Sequence, residues 1–183
     1  MPPGTAKLLL LLSGWAVCLT PAVAAEDTAR GWYIGVSAGS TTPKATNFAS
    51  AESWNYSAGY RFENLSSELT YSYLGRFRHD NSAATDVRVW GVSLAAVPRY
   101  EVNSWLELEA LVGVHRWQAN SQLLGNHFDR DDGSDATFGA GVWLNIRGSL
   151  IDGVAISLRW QRYNNVSGTD LSQYALGVHY VFR

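Results

Sequence analysis

Five charged residues of this chain are spaced so that they could form ion pairs. Each occupies one parity of a stretch whose other parity is apolar, so all five point to the same side of their segments. They are Arg61, Glu68, Glu107, Glu109 and Arg159. If that side is enclosed, isolated charge there is costly, and the groups must pair. We interpret them as an internal ion-pair cluster that fixes strand register, with a gate that switches partners to pass small solutes as the alternative.

A second candidate set consists of three arginines on the opposite, apolar parity. Arg88, Arg116 and Arg162 each fall at one end of a predicted strand. A guanidinium group donates paired hydrogen bonds to phosphate or carboxylate oxygens. These three residues are therefore candidates for binding anions at the edge of the sheet.

The remaining reactive side chains do not form a convincing catalytic or metal site. The histidines are dispersed in the sequence: His79, His115, His127 and His179. No Ser–His pair has an evident acid to orient it, so we do not expect an enzyme. The acidic segment 129–135 does not match a calcium loop, because its glycine comes one position early and no acidic residue closes it, and we interpret it as solvated surface charge. We expect no metal and no cofactor.

The elements that carry these residues are predicted to be strands. From Trp32 onward the dominant period is two, in eight stretches of roughly ten residues, as tilted membrane strands require. A soluble antiparallel sandwich would also alternate. However, the non-apolar parity is mostly Gly, Ser, Ala, Thr and Asn, which suits a narrow lumen better than a solvated surface. The predicted fold is all-β, an eight-stranded antiparallel up-and-down transmembrane β-barrel.

The predicted connections alternate in length, as they do in membrane barrels. The odd-numbered connections are expected to be long loops, at residues 42–52, 75–84, 118–135 and 164–170. The even-numbered ones are expected to be shorter, at residues 63–64, 98–104 and 147–153. This asymmetry predicts periplasmic termini and extracellular long loops.

The first 25 residues have the features of a secretory signal peptide. Lys7 precedes an apolar run over residues 8–19, and small residues end the segment at Ala24 and Ala25. We predict a signal peptide at residues 1–25, cleaved near residue 25, and a barrel domain at residues 26–183. Cleavage removes Cys18, the single cysteine, and leaves 13 basic against 16 acidic residues, a net charge of −3. A nucleic-acid partner is therefore not expected.

Several segments resemble the outer-membrane protein A family, whose amino-terminal domain is an eight-stranded transmembrane barrel. They are residues 31–35 (GWYIG), 105–114 (WLELEALVGV), 161–166 (QRYNNV) and 176–180 (LGVHY). The last strand is also similar to the signal read by the outer-membrane assembly machinery, with Gly177, Tyr180 and Phe182 in the matching positions. Arg183 after Phe182 departs from that pattern. Since the sequence ends with this strand, we do not expect the family's periplasmic tether to the cell wall.

These observations lead to an expected location and function. The resemblance implies an integral protein of the outer membrane that contacts its lipid and lipopolysaccharide and depends on the assembly machinery. Arg88, Arg116 and Arg162 are then candidates for a rim that contacts lipopolysaccharide phosphates, with ordinary snorkelling of their side chains to the interface as the alternative. The leading hypothesis is a structural role in envelope integrity and surface display. The alternatives are binding of a surface ligand through the extracellular loops, for which Leu123, Leu124 and Phe128 are candidates, a small pore, or a lipid A-modifying hydrolase.

Overall fold

The computed structural model describes residues 30–45, 48–79, 82–123, 126–146 and 153–182. The predicted signal peptide and Leu124 lie outside the described residues, and so does most of the predicted connection 147–153. No side-chain position is described for residues 122–129, which include Leu123 and Phe128. Within the described ranges, no helix is long and apolar enough to span a membrane.

Eight antiparallel strands form one closed barrel, which confirms the predicted fold class. The strands are β1 (Gly31–Pro43), β2 (Ala51–Phe62), β3 (Leu65–His79), β4 (Ser82–Asn103), β5 (Leu106–Leu123), β6 (Asn126–Asn145), β7 (Val154–Val166) and β8 (Thr169–Val181). Each strand pairs with its neighbours in sequence, and β1 pairs with β8 to close the barrel. All backbone edges in the body of the barrel are therefore paired, as a sheet in lipid requires.

The register of the strands fixes how narrow the barrel is. Starting at Tyr33 and stepping across paired residues through all eight strands leads back to Pro43, ten residues further along β1. This stagger tilts the strands relative to the barrel axis. An eight-stranded barrel of this kind has an interior just wide enough to be filled by its own side chains.

The alternation of the sequence decides which side chains fill that interior. On β5, the outward positions 106, 108, 110, 112 and 114 are all apolar, and Val112 and Val114 are 61% and 63% exposed. The inward residues of the same strand include the buried Glu107, Glu109 and His115. The other strands repeat this arrangement, so an apolar band surrounds a largely polar interior. The predicted parity of the strands is confirmed.

The predicted long loops are wrong in three of four cases, because most of their residues are in strands. β3 continues to His79 and β4 begins at Ser82, while β5 continues to Leu123 and β6 begins at Asn126. The β7–β8 connection is likewise a short turn at residues 167–168. Cross-strand pairing overrides the weak strand propensity of these Gly-, Asn- and Asp-rich segments. The ends of β3 and β5 and the beginnings of β4 and β6 therefore form a four-stranded sheet that extends beyond the apolar band.

We call the end of the barrel with these extended strands the hairpin end. The opposite end, where β1 begins and β8 finishes, is the terminal end.

The predicted short link over residues 98–104 is also wrong, since β4 continues through Pro98 to Asn103. Pro98 has no N–H group to donate. Val97 and Pro98 have no partners in the β4–β5 ladder, but the register is the same on both sides of this gap. Arg99 therefore belongs to a strand and faces the lumen.

A bulge at Gly75 shifts the register of β3 against β4. Gly75 has φ of +125°, and a Cβ atom there would lie 2.5 Å from the Ala51 side chain. The position therefore requires glycine. The extra residue places Phe77 inside the barrel beside Leu74, which already has the inward parity, and turns Arg76 to the outside, where it is paired with Arg88.

Candidate functional site

Arg159 lies between two carboxylates in the middle of the lumen. Its guanidinium group is 2.5 Å from Glu68 Oε1 and 2.7 Å from Glu109 Oε1. Glu68 is held further by Tyr33, whose hydroxyl donates a hydrogen bond of 2.8 Å, and by the Thr70 hydroxyl at 3.0 Å. The carboxylate of Glu68 is thus bound on several sides and has a single defined orientation.

A further arginine extends this arrangement toward the terminal end. Arg99 lies 3.4 Å from Glu109 and 3.6 Å from Glu107, and Arg61 lies 2.9 Å from the other oxygen of Glu107. The Arg99 guanidinium group also lies 3.9 Å from the centre of the Trp143 ring, a cation–π distance. The sequence analysis missed Arg99, because Pro98 next to it indicated a loop.

Together these residues form a chain of alternating charge, which we call the lumenal ion chain. In order, its members are Arg61, Glu107, Arg99, Glu109, Arg159 and Glu68. Three positive and three negative charges cancel, and every side chain in the chain is at most 12% exposed. Removing one member of such a buried network leaves an uncompensated charge, which costs about 3–5 kcal/mol of stability. The structure thus brings together all five lumenal residues singled out from the sequence.

Neutral polar groups fill the lumen next to the ion chain. The Asn55 amide donates to Ser37 at 2.8 Å and lies 3.4 Å from Gln173 Oε1, which also accepts from the Tyr163 hydroxyl at 3.1 Å. A cavity of about 20 Å³ lies between these residues and Arg159. This is room for one or two water molecules, which is far from a continuous aqueous channel.

Toward the hairpin end, the lumen is closed by an apolar plug. Its buried members are Ala51, Leu74, Phe77, Val89, Trp117, Ala119, Tyr163, Val166 and Leu171. Trp117 is 5% exposed, and its indole N–H donates to Asp135 at 3.0 Å. In the part of the chain that the structure describes, the lumen is therefore blocked both by packed apolar side chains and by the ion chain.

Among the described residues there is one Ser–His hydrogen bond, which the sequence did not reveal. The Ser157 hydroxyl is 2.8 Å from His179 Nε2. His179 Nδ1 is buried and has no hydrogen-bond partner among the described residues, and the ring packs 4.1 Å from Trp143. A catalytic dyad needs an acid to orient the histidine and access for a substrate. This pair has neither, and we interpret it as part of the lumen packing.

The three outward arginines lie at the edge of the apolar band but not beside one another. Arg88, Arg116 and Arg162 each come at the first outward position past the last apolar one, which is Trp90, Val114 or Trp160. Their strands continue toward the hairpin end, so none of them is at a strand end, contrary to the prediction. Arg88 is paired with Asn120, four residues along β5 from Arg116. The three side chains therefore mark different points on the circumference.

The outward arginines differ in their partners. Arg162 forms an ion pair of 2.5 Å with Asp170, which also accepts the Asn165 backbone N–H at 3.1 Å. This backbone hydrogen bond and the contact with Arg162 lower the pKa of Asp170, which lies beyond the apolar band. Arg116 is exposed and has no ion pair within the described ranges.

Comparisons with known proteins agree with this architecture. The sequence profile described as "outer membrane protein beta-barrel domain" matches residues 8–182. The chain belongs to this family. None of the curated protein sequences gives a significant match to it.

Solved structures show the same fold. Ail, the attachment invasion locus protein of Yersinia pestis, is 16% identical, with a TM-score of 0.62 over 84% of this chain and 100% of Ail. Neisserial surface protein A (NspA) is 19% identical, with a TM-score of 0.58 over 83% of this chain and 97% of NspA. The amino-terminal barrel of Pseudomonas aeruginosa OprF is 13% identical, with a TM-score of 0.56 over 83% of this chain and 100% of that domain. The predicted resemblance to a small outer-membrane barrel is confirmed.

The residues that resemble an assembly signal lie at the terminal end of this outer-membrane barrel. Tyr180 and Phe182 face outward, each 46% exposed, with their rings 5.0 Å apart in an edge-to-face arrangement. Gly177 faces the lumen, where a Cβ atom would approach the Ser157 hydroxyl to 2.8 Å. Two outward aromatic rings and an inward glycine are therefore presented on opposite faces of one strand.

The prediction that the acidic segment 129–135 belongs to a loop is wrong, because the segment lies on β6 of the barrel. Among the described residues, no three His, Cys, Asp or Glu side chains are grouped so as to hold a metal ion. Asp131 instead accepts a hydrogen bond of 2.8 Å from Ser167 of the β7–β8 turn, and Asp135 accepts one of 3.5 Å from Asn165 near the end of β7.

Proposed function

We propose that this outer-membrane barrel is a non-conducting structural protein that stabilises the outer leaflet through its outward arginines. The observation that carries the proposal is the sealed lumen. The ion chain neutralises its own charges, and the apolar plug above it excludes water. A barrel filled in this way supplies rigidity and a fixed outer surface, and it does not supply a solute path.

The sealed lumen argues against the alternative of a small pore. A gate would require the ion chain to exchange partners and the plug to open at the same time, because each blocks the lumen separately. Planar-bilayer recording of the refolded protein tests this. We expect no conductance from the wild type and from the variant Arg159→Met. Steps of regular conductance from the wild-type protein would overturn the proposal.

The rim formed by Arg88, Arg116 and Arg162 supports contact with lipopolysaccharide. An outward arginine at the bilayer midplane costs about 2–4 kcal/mol, and this cost falls to near zero at the interface. At the edge of the apolar band each guanidinium group can bind phosphate. We expect replacement of all three with Gln to reduce stability and insertion in lipopolysaccharide bilayers, whereas in phosphatidylcholine the loss should not exceed the about 0.2–1 kcal/mol of the Arg162–Asp170 ion pair. Unchanged behaviour in both bilayers would refute the rim.

A second candidate function, binding of a surface ligand, is favoured by the extended hairpins. β3 to β6 continue beyond the apolar band, and within the described ranges β6 contacts β7 and the β7–β8 turn beyond Thr137 through side chains without ladder pairing. A rigid sheet with such an edge is suited to protein contacts. Deletion of residues 122–132 separates the two functions. Lost attachment to host cells or matrix with intact envelope resistance would support the binding function, and the reverse result would support the structural one.

Export and insertion are also part of this proposal. We infer that residues 1–25 are removed as a signal peptide and that Gly177, Tyr180 and Phe182 are read by the outer-membrane assembly machinery. Mass spectrometry of the protein from the outer-membrane fraction measures the cleavage site. Replacement of Tyr180 and Phe182 with Ser is expected to leave unassembled protein without heat-modifiable gel mobility, whereas Tyr174→Ser, an outward aromatic outside the signal, should assemble normally.

A further inference from the structure

One histidine lies next to the apolar plug without a polar partner. His115 is on β5, faces the lumen and is 1% exposed. Its imidazole ring packs against Tyr163 of the plug, with the two ring centres 4.6 Å apart. Both ring nitrogens are buried and have no hydrogen-bond partner among the described residues. Buried polar groups are nearly always hydrogen-bonded, so an imidazole with two free nitrogens requires an explanation.

Asp135 is the charged side chain that faces this histidine. It is paired directly with His115 across the β5–β6 ladder, and the Cβ atoms of such a pair are about 4.5–5.5 Å apart. Its charge acts on the imidazole, yet its carboxylate is not bonded to either ring nitrogen. The other strands that pack on the ring contribute uncharged groups, which are Gly91 and Ser93 of β4 and the Tyr163 phenol of β7.

The carboxylate of Asp135 instead connects the plug to the outer surface. Its Oδ2 atom accepts the indole N–H of Trp117 at 3.0 Å, and its Oδ1 atom accepts the Asn165 side-chain amide at 3.5 Å. Trp117 is a buried member of the plug, whereas Asn165 is exposed near the end of β7. The carboxylate that holds these two groups therefore lies beside an imidazole that has no partner of its own.

Protonation of the imidazole would change this arrangement. Histidine is the side chain whose charge ordinarily changes between about pH 5 and pH 8. A protonated ring has two N–H donors, and a buried cation requires a counter-charge. A hydrogen bond from a charged donor to a carboxylate is also stronger than one from a neutral indole. In acid, His115 and Trp117 therefore compete for the same carboxylate.

We propose that His115 is an acid-sensitive switch of the apolar plug. When His115 binds a proton, Asp135 exchanges the indole N–H of Trp117 for the imidazolium and gives up its long contact with Asn165. The plug and the end of β7 then loosen together. The lumenal ion chain takes no part in this exchange, so the lumen stays blocked. The switch goes beyond the proposed structural function, because it gives the outer end of a non-conducting barrel two states that depend on pH.

The test is an NMR titration of the refolded barrel in detergent micelles, from about pH 8 to about pH 4. Tryptophan and histidine are isotope-labelled, and the variants Trp117→Phe and His115→Gln assign the two resonances. We expect the indole N–H resonance of Trp117 to shift with the same midpoint as the imidazole of His115. Hydrogen exchange of this indole N–H should become about 5-fold faster, the equivalent of losing one neutral hydrogen bond.

Three variants separate the switch from other effects of acid. His115→Gln cannot gain a charge, and Asp135→Asn keeps an acceptor for Trp117 but cannot balance an imidazolium. In Asp135→Asn the indole resonance should not follow the protonation of His115, and in His115→Gln it should stay in place over the same pH range. His179→Gln changes a second buried histidine of the lumen and should keep the wild-type response.

Three results would overturn the proposal. The first is a shift of the Trp117 resonance that persists in His115→Gln, because it would assign the response to protonation of Asp135 itself. The second is a Trp117 resonance that does not move while His115 is protonated. The third is an imidazole of His115 that stays neutral over the whole titration. Heat-modifiable gel mobility of each variant shows that the barrel is folded.

Discussion

Arginines in two regions of this barrel have opposite surroundings. Arg159 in the lumen contacts Glu68 and Glu109 and is at most 12% exposed. Arg88 on the outer face is opposite another arginine and leaves one donor without a protein partner in the described ranges. Both positions follow from the alternating pattern of the strands, because Arg159 has the inward parity and Arg88 has the outward parity.

The difference shows where this protein must supply its own counter-charges. A charge enclosed in a narrow barrel has neither water nor lipid phosphate to bind, so the chain itself provides a partner of opposite sign. At the membrane interface, water and headgroups are available, and an arginine without a protein partner costs little. Internal pairing therefore indicates a structural role, and an outward arginine without an ion pair indicates a partner outside the chain.

The largest effect is expected from Arg159→Met. It leaves Glu68 and Glu109 without their shared partner, and we expect it to lower the free energy of unfolding by about 3–5 kcal/mol. Urea unfolding in lipid vesicles, followed by tryptophan fluorescence, measures this. Adding Glu68→Gln to the variant should restore part of the loss. An unchanged unfolding midpoint would mean that the ion chain contributes no stability, and the contrast between the two regions would disappear.

A smaller effect is expected when an arginine is placed inside the apolar band. Val112 is outward on β5, midway between the aromatic residues of the two ends. Val112→Arg should cost about 2–4 kcal/mol in a bilayer, because the guanidinium group is then in hydrocarbon. Gln118→Arg, on the same face but beyond the band, is the control and should be close to neutral. Equal costs at the two positions would place the membrane boundary elsewhere.

A still smaller effect is expected from Arg116→Gln in detergent without lipopolysaccharide. Arg116 is exposed and forms no ion pair within the described ranges, so stability should change by less than about 0.5 kcal/mol. Thermal unfolding followed by heat-modifiable gel mobility measures the change. A loss comparable to that of Arg159→Met would show that the outward arginines have structural partners after all.

A comparably small effect, which depends on pH, concerns Asp170 at the hairpin end. Its folded-state pKa is lowered by the Asn165 N–H and by Arg162, so its contribution is present above the unfolded pKa and is lost as the pH falls through the folded pKa. Asp170→Asn should therefore cost about 0.2–1 kcal/mol at neutral pH and nothing in strong acid. Urea unfolding of both proteins at several pH values checks this. A cost that does not depend on pH would assign the effect to packing.

The part of the fold inside the membrane could be predicted from the sequence because the period-two pattern there has one physical cause. Lipid selects apolar side chains on one face, and a narrow lumen selects small or paired ones on the other. The parity of Arg61, Glu68 and Glu109 follows directly. The order in which they pair does not, because it depends on the stagger of the strands.

The parts that the sequence did not predict are outside that selection. The segments 75–84 and 118–135 are rich in Gly, Asn, Ser and Asp, which are typical of turns, yet residues 75–79, 82–84, 118–123 and 126–135 are held in strands by their neighbours. Arg99 was missed because Pro98 usually ends a strand, whereas here the sheet tolerates it by interrupting one ladder. The contacts of Tyr33 and Trp143 with the ion chain likewise could not be predicted, because they depend on how the strands are staggered.

Because of the bulge at Gly75, the number of residues between Tyr73 and Arg76 decides which side chains face outward on the end of β3. Loss of one of these residues would exchange the two faces of the strand tip, bringing Phe77 to water and a guanidinium group into the plug. Among homologous proteins, insertions and deletions between Tyr73 and Arg76 should therefore be rarer than changes of residue type on this tip.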